Sequence, residues 1–138
     1  GMTENEVIAT LGKPDRVIAG IDDNKEFLYN LFKLKLIFDS EEGNRLYSIE
    51  VFKKEVTFLS TEVIGMSFDE LLSFMKKNGY EDYEVDSYDY FDTVYFDDCS
   101  TYFTLEFNEV TSFDFSPLFK NDDEIIWPEC RPQFECFD

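Results

Sequence analysis

The amino-acid sequence predicts an α+β fold of two tandem units, each an α-helix followed by an antiparallel meander of strands. Three observations support this prediction. A pattern that starts a helix occurs twice, at residues 1–8 and 65–72, and short segments of alternating apolar and polar residues follow each copy. The aromatic share of 18% suits the pleated, half-buried surface of a sheet. We therefore expect two helices packed on one face of a shared or paired antiparallel sheet.

Both copies of the helix start contain a capping box and a hydrophobic staple. The N-cap hydroxyl accepts a hydrogen bond from the third helical residue, whose carboxylate reaches back to the cap. An apolar residue before the cap packs on the fourth helical residue. The matching residues of the two copies are Thr3 and Ser67, Glu6 and Glu70, Met2 and Met66, and Val7 and Leu71. Two complete patterns in the same register indicate a duplicated unit.

The remaining elements follow in order from each helix start. Helices are predicted at 4–11 and 68–77, and strands in the first half at 16–21, 27–29, 33–38, 46–52 and 56–59. Strands in the second half are predicted at 83–86, 93–96, 102–107 and 110–115, where 105–107 resemble 36–38 and 111–115 resemble 47–51. The last hairpin turn is placed around Asn108-Glu109. We therefore expect a first repeat at 1–60, a second at 61–118, and an acidic C-terminal tail at 119–138 packed on the surface through Trp127.

The charge balance indicates which kinds of partner the protein can bind. Thirty-one acidic residues against twelve basic ones give the 138-residue chain a formal net charge of −19. Such a field repels nucleic acid and anionic lipid and attracts basic proteins. The alternative is that the charge serves solubility alone. We expect a basic protein partner, no nucleic acid and no membrane insertion, while the oligomeric state is left open.

The residue types exclude most catalytic classes. The chain has no histidine, which removes the usual general base and the usual nitrogen ligand of zinc. It also lacks the nucleophile-elbow, phosphate-loop and dinucleotide-binding motifs. Acidic turns such as Asp22-Asp23-Asn24 lack the spacing of a calcium loop. We expect a non-enzymatic protein with no catalytic residue, no metal and no cofactor; a carboxylate-dependent hydrolase is the alternative.

The cysteines and the hydropathy pattern address localisation. Three cysteines without CxxC spacing are typical of reduced thiols in a cytoplasmic protein, and a Cys130–Cys136 disulfide in a secreted protein is the alternative. No apolar run approaches the roughly eighteen residues that cross a bilayer. We expect the cytoplasm, or the periplasm or a lipid anchor if a further segment precedes Gly1.

The opening of the chain resembles that of the SmpA/OmlA (BamE) lipoprotein family. The matching pattern GMTxxEVxxxLGxP consists of Gly1, Met2, Thr3, Glu6, Val7, Leu11, Gly12 and Pro14. Two such units in tandem resemble the β-lactamase-inhibitor-protein architecture, in which paired half-domains share one sheet. The resemblance implies a binding or inhibitory protein without catalysis, and a BamE-like envelope assembly protein as an alternative.

The segment from 81 to 98 is the best candidate for an interface. It contains eight acids and six aromatic residues, and no lysine or arginine occurs from 78 to 119. Tyrosines are rigid anchors, and carboxylates steer a basic partner; the alternative is two strands with aromatic core faces and acidic solvent faces. The predicted binding residues are Tyr88, Asp89, Tyr90, Phe91, Asp92, Asp97, Asp98 and Trp127. We expect the segment to have no counterpart in the first half. The predicted function is non-catalytic protein binding or inhibition, most concretely an immunity-type protein that neutralises a basic toxin or nuclease.

Overall fold

The computed structural model describes residues 1–119 and 125–126 and confirms the α+β class. This part of the chain contains two α-helices, eight strands in antiparallel ladders and two small separate pairs of strands. It divides into two compact units, the first formed by residues 1–49 with the described residues after 115, and the second by Glu50–Phe115. These units are defined by contacts, so the repeat boundaries at 60 and 118 stay a prediction.

The first unit places one helix before a four-stranded meander. Its elements are α1 (Glu4–Leu11), β1 (Arg16–Ala19), β2 (Lys25–Tyr29), β3 (Leu34–Asp39) and β4 (Arg45–Val51). The strands lie in the order β1-β2-β3-β4. A 3-10 turn at Ile21–Asp23 replaces the predicted end of the first strand, because Asp22 and Asp23 adopt positive φ there. After Phe115, β11 (Leu118–Phe119) pairs with β12 (Ile125–Ile126), and Trp127 lies outside the described residues.

The second unit begins with a short hairpin and repeats the same order. Its elements are β5 (Thr57–Phe58), β6 (Thr61–Glu62), α2 (Phe68–Lys77), β7 (Glu84–Ser87), β8 (Asp92–Phe96), β9 (Thr101–Glu106) and β10 (Glu109–Phe115). The last four strands lie in the order β10-β9-β8-β7. The single extended segment predicted at 56–59 is therefore wrong, because Leu59 and Ser60 adopt positive φ and turn the chain back on itself.

Both predicted capping boxes are confirmed. The Thr3 hydroxyl accepts from the Glu6 N–H at 3.3 Å, and the Glu6 carboxylate accepts from the Thr3 N–H at 2.8 Å. Ser67 and Glu70 make the same two bonds at 3.2 and 3.3 Å. Each reciprocal pair satisfies two N–H groups that a helix start leaves without partners, which explains why both helices begin at the predicted residues.

The backbone before each cap is tied to the last strand of its own unit. The Leu46 N–H donates to the Met2 carbonyl at 2.7 Å, and the Val110 N–H donates to the Met66 carbonyl at 2.8 Å. The two bonds join equivalent residues, because both pairs are 44 positions apart in the sequence. The two units therefore close in the same way.

The strand registers of the two units are also equivalent. Phe27 and Val94 are the first buried residues of β2 and β8, whose burial patterns are identical. Phe27 pairs with Leu36 and Val94 with Phe103, a shift of 67 positions in both strands. The predicted match of 36–38 with 105–107 is therefore wrong by two residues. A slip of two positions preserves the alternation of a strand, so the pattern alone does not reveal it.

The segment from 81 to 98 does have a counterpart in the first half, contrary to our expectation. β1 pairs with β2 through Arg16 opposite Leu28, and β7 pairs with β8 through Glu84 opposite Tyr95. The hairpins also match, since the Gly20 N–H donates to the Asn24 carbonyl and the Tyr88 N–H to the Phe91 carbonyl. The similarity lies in the pairing and the difference lies in the side chains.

Each unit has its own apolar core. The buried core of the first unit consists of Met2, Val7, Phe27, Tyr29, Leu36, Phe38 and Leu46. In the second unit four rings pack with centroids 5.5 to 6.1 Å apart, namely Phe58, Phe96, Phe103 and Phe113. Leu71 and Met75 of α2 are completely buried. The apolar side chains of the alternating strands form these cores. The side chains between them point away from the core and are available for function.

A candidate binding surface on the second unit

A row of polar and aromatic side chains crosses the four strands of the second unit. Residues that pair directly in an antiparallel ladder project on the same face. Glu84 pairs with Tyr95, Tyr95 with Tyr102, and Tyr102 with Asp114, so these four side chains lie side by side. A second row contains Asp86, Thr93 and Thr104. We call the surface formed by Glu84, Asp86, Thr93, Tyr95, Tyr102, Thr104 and Asp114 the acidic tyrosine face.

Two tyrosines form the centre of this face. The rings of Tyr95 and Tyr102 are stacked, with centroids 4.2 Å apart and an interplanar angle of 23°. The Tyr95 hydroxyl donates to a carboxylate oxygen of Asp97 at 3.2 Å, which holds the ring at its far end. The side chain of Tyr102 is 39% exposed. The pair is therefore an aromatic surface that keeps its orientation and remains open to a partner.

The electrostatic environment of the face is negative. Burial raises the pKa of Tyr102, and the carboxylates of Asp114, Asp86 and Glu84 raise this pKa further because they oppose a phenolate. Burial also raises the pKa of Tyr95, and Asp97 adds to the effect. Both tyrosines are therefore neutral at pH 7 and sit in a field that would favour a cation.

The hairpin between β7 and β8 brings together five of the predicted binding residues. Tyr88, Asp89, Tyr90 and Phe91 form its loop, and Asp92 begins β8. The rings of Tyr88 and Phe91 are stacked with centroids 4.7 Å apart, while the Tyr90 side chain is 85% exposed. The loop thus presents an aromatic tip beside the acidic tyrosine face.

Two other predicted residues lie at the opposite end of β8. Asp97 and Asp98 belong to a 3-10 turn that leads into β9. Five residue steps of extended chain separate Asp92 from Asp97, which is about 17 Å. The structure therefore divides the predicted set into two groups, while Trp127 lies outside the described residues.

Sequence reasoning missed the residues at the centre of the face. Glu84, Asp86, Tyr95 and Tyr102 are absent from the predicted set, although all of them except Tyr102 lie inside the segment from 81 to 98 from which that set was drawn. The alternation around Phe103 places Tyr102 away from the core. It does not say which strand lies next to β9, and the cross-strand register is what makes Tyr102 a neighbour of Tyr95.

The hairpin between β9 and β10 carries an exposed aromatic residue under backbone strain. Phe107 and Asn108 both adopt positive φ, of 51° and 60°. The Asn108 side chain accepts a hydrogen bond from the Phe68 N–H at 3.1 Å, which gives that residue a local role. Phe107 is 99% exposed, so its ring gains nothing from the fold. This turn lies one residue earlier than predicted.

A shallow pocket and a cysteine offer little chemistry. The pocket, of about 240 Å³, is lined by Leu72, Lys76, Tyr80, Glu81, Tyr83 and Phe96. Its lining contains one carboxyl group, whereas glycoside hydrolysis uses two. Burial raises the pKa of the Cys99 thiol, which disfavours the thiolate that acts as a nucleophile. Within residues 1–119 and 125–126, no group of three or more cysteine, aspartate or glutamate residues is arranged to hold a metal ion.

Comparison with known proteins supports the fold and leaves the activity open. No family model and no curated protein matches the chain. The structure is similar to a 1.5 Å crystal structure of an extracellular protein containing an SCP domain from Bacillus anthracis strain Ames. The TM-score is 0.55 at 12% sequence identity, and the match covers 96% of this chain and 50% of that one. At this identity the likeness concerns the fold alone.

This comparison overturns the family resemblance inferred from the opening motif. The SmpA/OmlA (BamE) and β-lactamase-inhibitor-protein resemblance is wrong, because no such family matches and the structural match is to the SCP-domain protein. The physical reason is that the GMTxxEV pattern consists of a cap, a staple and an apolar stripe, which any helix of this kind can use. Functions that rested on that resemblance alone, such as envelope assembly, lose their support.

The described part of the chain also bears on membrane association. None of its helices is long and apolar enough to cross a bilayer. The expectation of the cytoplasm stays a prediction, as does the alternative of a bonded Cys130 and Cys136, which lie outside the described residues.

Proposed function

We propose that this chain is a non-catalytic protein-binding module that recognises a basic protein through the acidic tyrosine face and the neighbouring hairpin tip. The observation that carries the proposal is the stacked pair Tyr95 and Tyr102 with carboxylates on both sides of its row. Residues 78–119 contain eleven acids and no lysine or arginine, so the sequence that forms this face is strongly acidic.

The chemistry of the face suits lysine and arginine side chains. A cation over the face of a tyrosine ring gains roughly 0.5–1 kcal/mol at an exposed site and more when water is excluded. Carboxylates such as Glu84 and Asp86 accept charge-assisted hydrogen bonds from the same groups. The surrounding negative field also accelerates encounter with a basic partner and rejects acidic ones.

The first unit argues against solubility as the sole reason for these acids. The positions equivalent to Glu84, Tyr95 and Tyr102 are Arg16, Leu28 and Lys35. Lys35 there pairs with Glu26 at 3.1 Å, so the same ladder forms with balanced charges. The acidic tyrosine face is therefore not a requirement of the fold, which favours a role in binding.

An inhibitory role is the more specific form of the proposal. In this form the bound protein is a basic toxin or nuclease, and the acidic tyrosine face covers part of its nucleic-acid-binding surface. An enzymatic role for the carboxylates lacks a supporting observation, and the absence of activity stays a prediction.

Affinity capture followed by titration tests the proposal. The wild-type chain and the double variant Glu84→Gln with Asp86→Asn would be used to capture proteins from the native cell, and each recovered protein would be titrated calorimetrically at 50 and 300 mM salt. We expect a basic partner whose affinity falls with salt and falls about tenfold or more in the variant. Equal affinity for both chains, or an acidic partner, would contradict the proposal.

The first unit provides a matched control for that experiment. Asp22→Asn with Asp23→Asn removes the same charge from an exposed turn. Asparagine tolerates the positive φ of both positions, so the control should fold normally. We expect this variant to retain wild-type affinity. An equal loss in both variants would mean that net charge, rather than the face, drives association.

A further inference from the structure

We propose that the open edge of β7 binds an extended strand of the basic partner, with lysine or arginine at alternate positions of that strand. The inference rests on the proposed function and specifies how the partner docks. Within residues 1–119 and 125–126, β7 lies at the end of the strand order, and β8 is its neighbour in the sheet. All four residues of β7 are exposed.

The backbone geometry identifies the groups on the open edge. In an antiparallel ladder, alternate residues direct their N–H and C=O toward the paired strand, and the residues between them direct these groups away. The Tyr88 N–H donates to the Phe91 carbonyl across the hairpin at 2.9 Å, so Tyr88 faces β8. By alternation Asp86 and Glu84 also face β8. Val85 and Ser87 therefore direct their N–H and C=O groups to the open edge.

The side chains beside this edge select the charge of the incoming strand. Glu84 and Asp86 project on the acidic tyrosine face, in line with Tyr95 and Thr93. A strand added to β7 would place every second side chain on that same face. Lysine or arginine at those positions would meet Glu84 and Asp86 directly.

The same charges disfavour a second copy of this chain as the occupant. Antiparallel pairing of two β7 strands would set the carboxylates of Glu84 and Asp86 opposite carboxylates of the other copy. Like charges directly opposite each other destabilise a strand pair. The edge thus disfavours self-association and is complementary to a basic strand.

The first unit contains an equivalent edge with different chemistry. Among the described strands, β1 is the terminal strand of the first unit. Its residues Arg16 and Ile18 occupy the positions equivalent to Glu84 and Asp86 of β7. The Gly20 N–H donates to the Asn24 carbonyl as Tyr88 does to Phe91, so Val17 and Ala19 have the orientation of Val85 and Ser87. Because β1 carries a cation where β7 carries carboxylates, β1 should not bind the same strand.

Amide exchange of the full chain with a defined peptide tests the inference. The probe is a blocked seven-residue peptide that alternates lysine and threonine, and its control is a peptide of the same composition with the lysines in one block. We expect the alternating peptide to slow exchange of the Val85 and Ser87 amides about tenfold or more at 20 mM salt, and the block peptide to have a smaller effect. Exchange of the Val17 and Ala19 amides should be unchanged.

Matched proline variants complete the test. Ser87→Pro removes an N–H from the proposed binding edge, and Ala19→Pro removes the equivalent N–H from β1; proline is tolerated on edge strands. We expect Ser87→Pro to weaken binding of the alternating peptide about tenfold and Ala19→Pro to leave it unchanged, with circular dichroism establishing that both fold. Equal effects of the two variants would overturn the inference.

The outcomes separate the inference from the proposed function. Binding that shifts the ring resonances of Tyr95 and Tyr102 without slowing exchange at Val85 and Ser87 would overturn strand addition and leave recognition by the face intact. No binding of either peptide at 20 mM salt would overturn both.

Discussion

The two units of this protein share a backbone plan and differ in the chemistry of their solvent-facing strands. Strand pairing, helix caps and the bond from helix start to last strand are equivalent at every point described above. The first unit uses ion pairs such as Lys25 with Glu4 and Lys35 with Glu26. The second unit has sixteen acids and four lysines between residues 50 and 115. The comparison teaches that the acidic surface is separable from the fold.

The largest effects should come from equivalent core positions. Leu36 and Phe103 occupy the same place in the two registers, and both are completely buried. We expect Leu36→Ala to lower the free energy of unfolding by about 2–5 kcal/mol and Phe103→Ala by about 3–5 kcal/mol. Urea unfolding followed by circular dichroism measures both. Ile21→Ala, at a residue 83% exposed, is the control and should change stability by less than about 0.5 kcal/mol. A loss below about 1 kcal/mol at only one core position would break the equivalence of the units.

A smaller effect of opposite sign is expected at the turn between β9 and β10. Phe107 adopts φ of 51° and buries none of its ring, whereas asparagine is favoured in such turns. We expect Phe107→Asn to raise the free energy of unfolding by about 1 kcal/mol, because a bulky residue in the left-handed region costs about that much. Thermal unfolding measures the gain. Phe107→Leu keeps the backbone strain and should give no gain; stabilisation by leucine alone would show that the exposed ring, and not the strain, is unfavourable.

The smallest effect on stability comes from the ionisation of Tyr102 at high pH. The folded-state pKa of Tyr102 lies above the ordinary value of 10.0, so the unfolded chain loses this proton first. The stabilising contribution is therefore complete below pH 10 and is lost as the pH rises through the folded-state pKa. We expect Glu84→Gln with Asp86→Asn to lower the pKa of Tyr102, measured from the phenolate absorbance of the chain minus that of its Tyr102→Phe variant. Asp22→Asn with Asp23→Asn should leave this pKa unchanged, and an equal shift in both would indicate a general field.

Local chemistry explains which parts of the fold could be predicted. The helix starts were predicted to the residue because the capping boxes of Thr3 with Glu6 and Ser67 with Glu70 are local. Strand existence followed from alternation, but alternation is unchanged by a slip of two. The predicted match of Phe107 with Phe38 was therefore wrong by two residues.

The candidate site was harder to predict because it depends on pairing across strands. Composition identified the segment around Tyr88 and Phe91, which do meet in one hairpin. Asp97 was grouped with them although it lies at the other end of β8, since proximity in sequence says little about distance along an extended strand. Tyr102 was missed because the pairing register of β8 and β9 is what makes it a neighbour of Tyr95.

The bond from each helix start to the last strand has a consequence for the order of folding. Met2 and Leu46, like Met66 and Val110, are 44 residues apart, whereas the hairpins between them close over a few residues. Loop-closure entropy depends on the length of chain enclosed, so this cost is the same in both units. In each unit this bond encloses a longer stretch of chain than any of the hairpins, so we expect it to form after the hairpins. Differences in folding rate between the units should therefore arise in their hairpins, where a two-residue turn at Phe107 and Asn108 replaces the longer connection after Asp39.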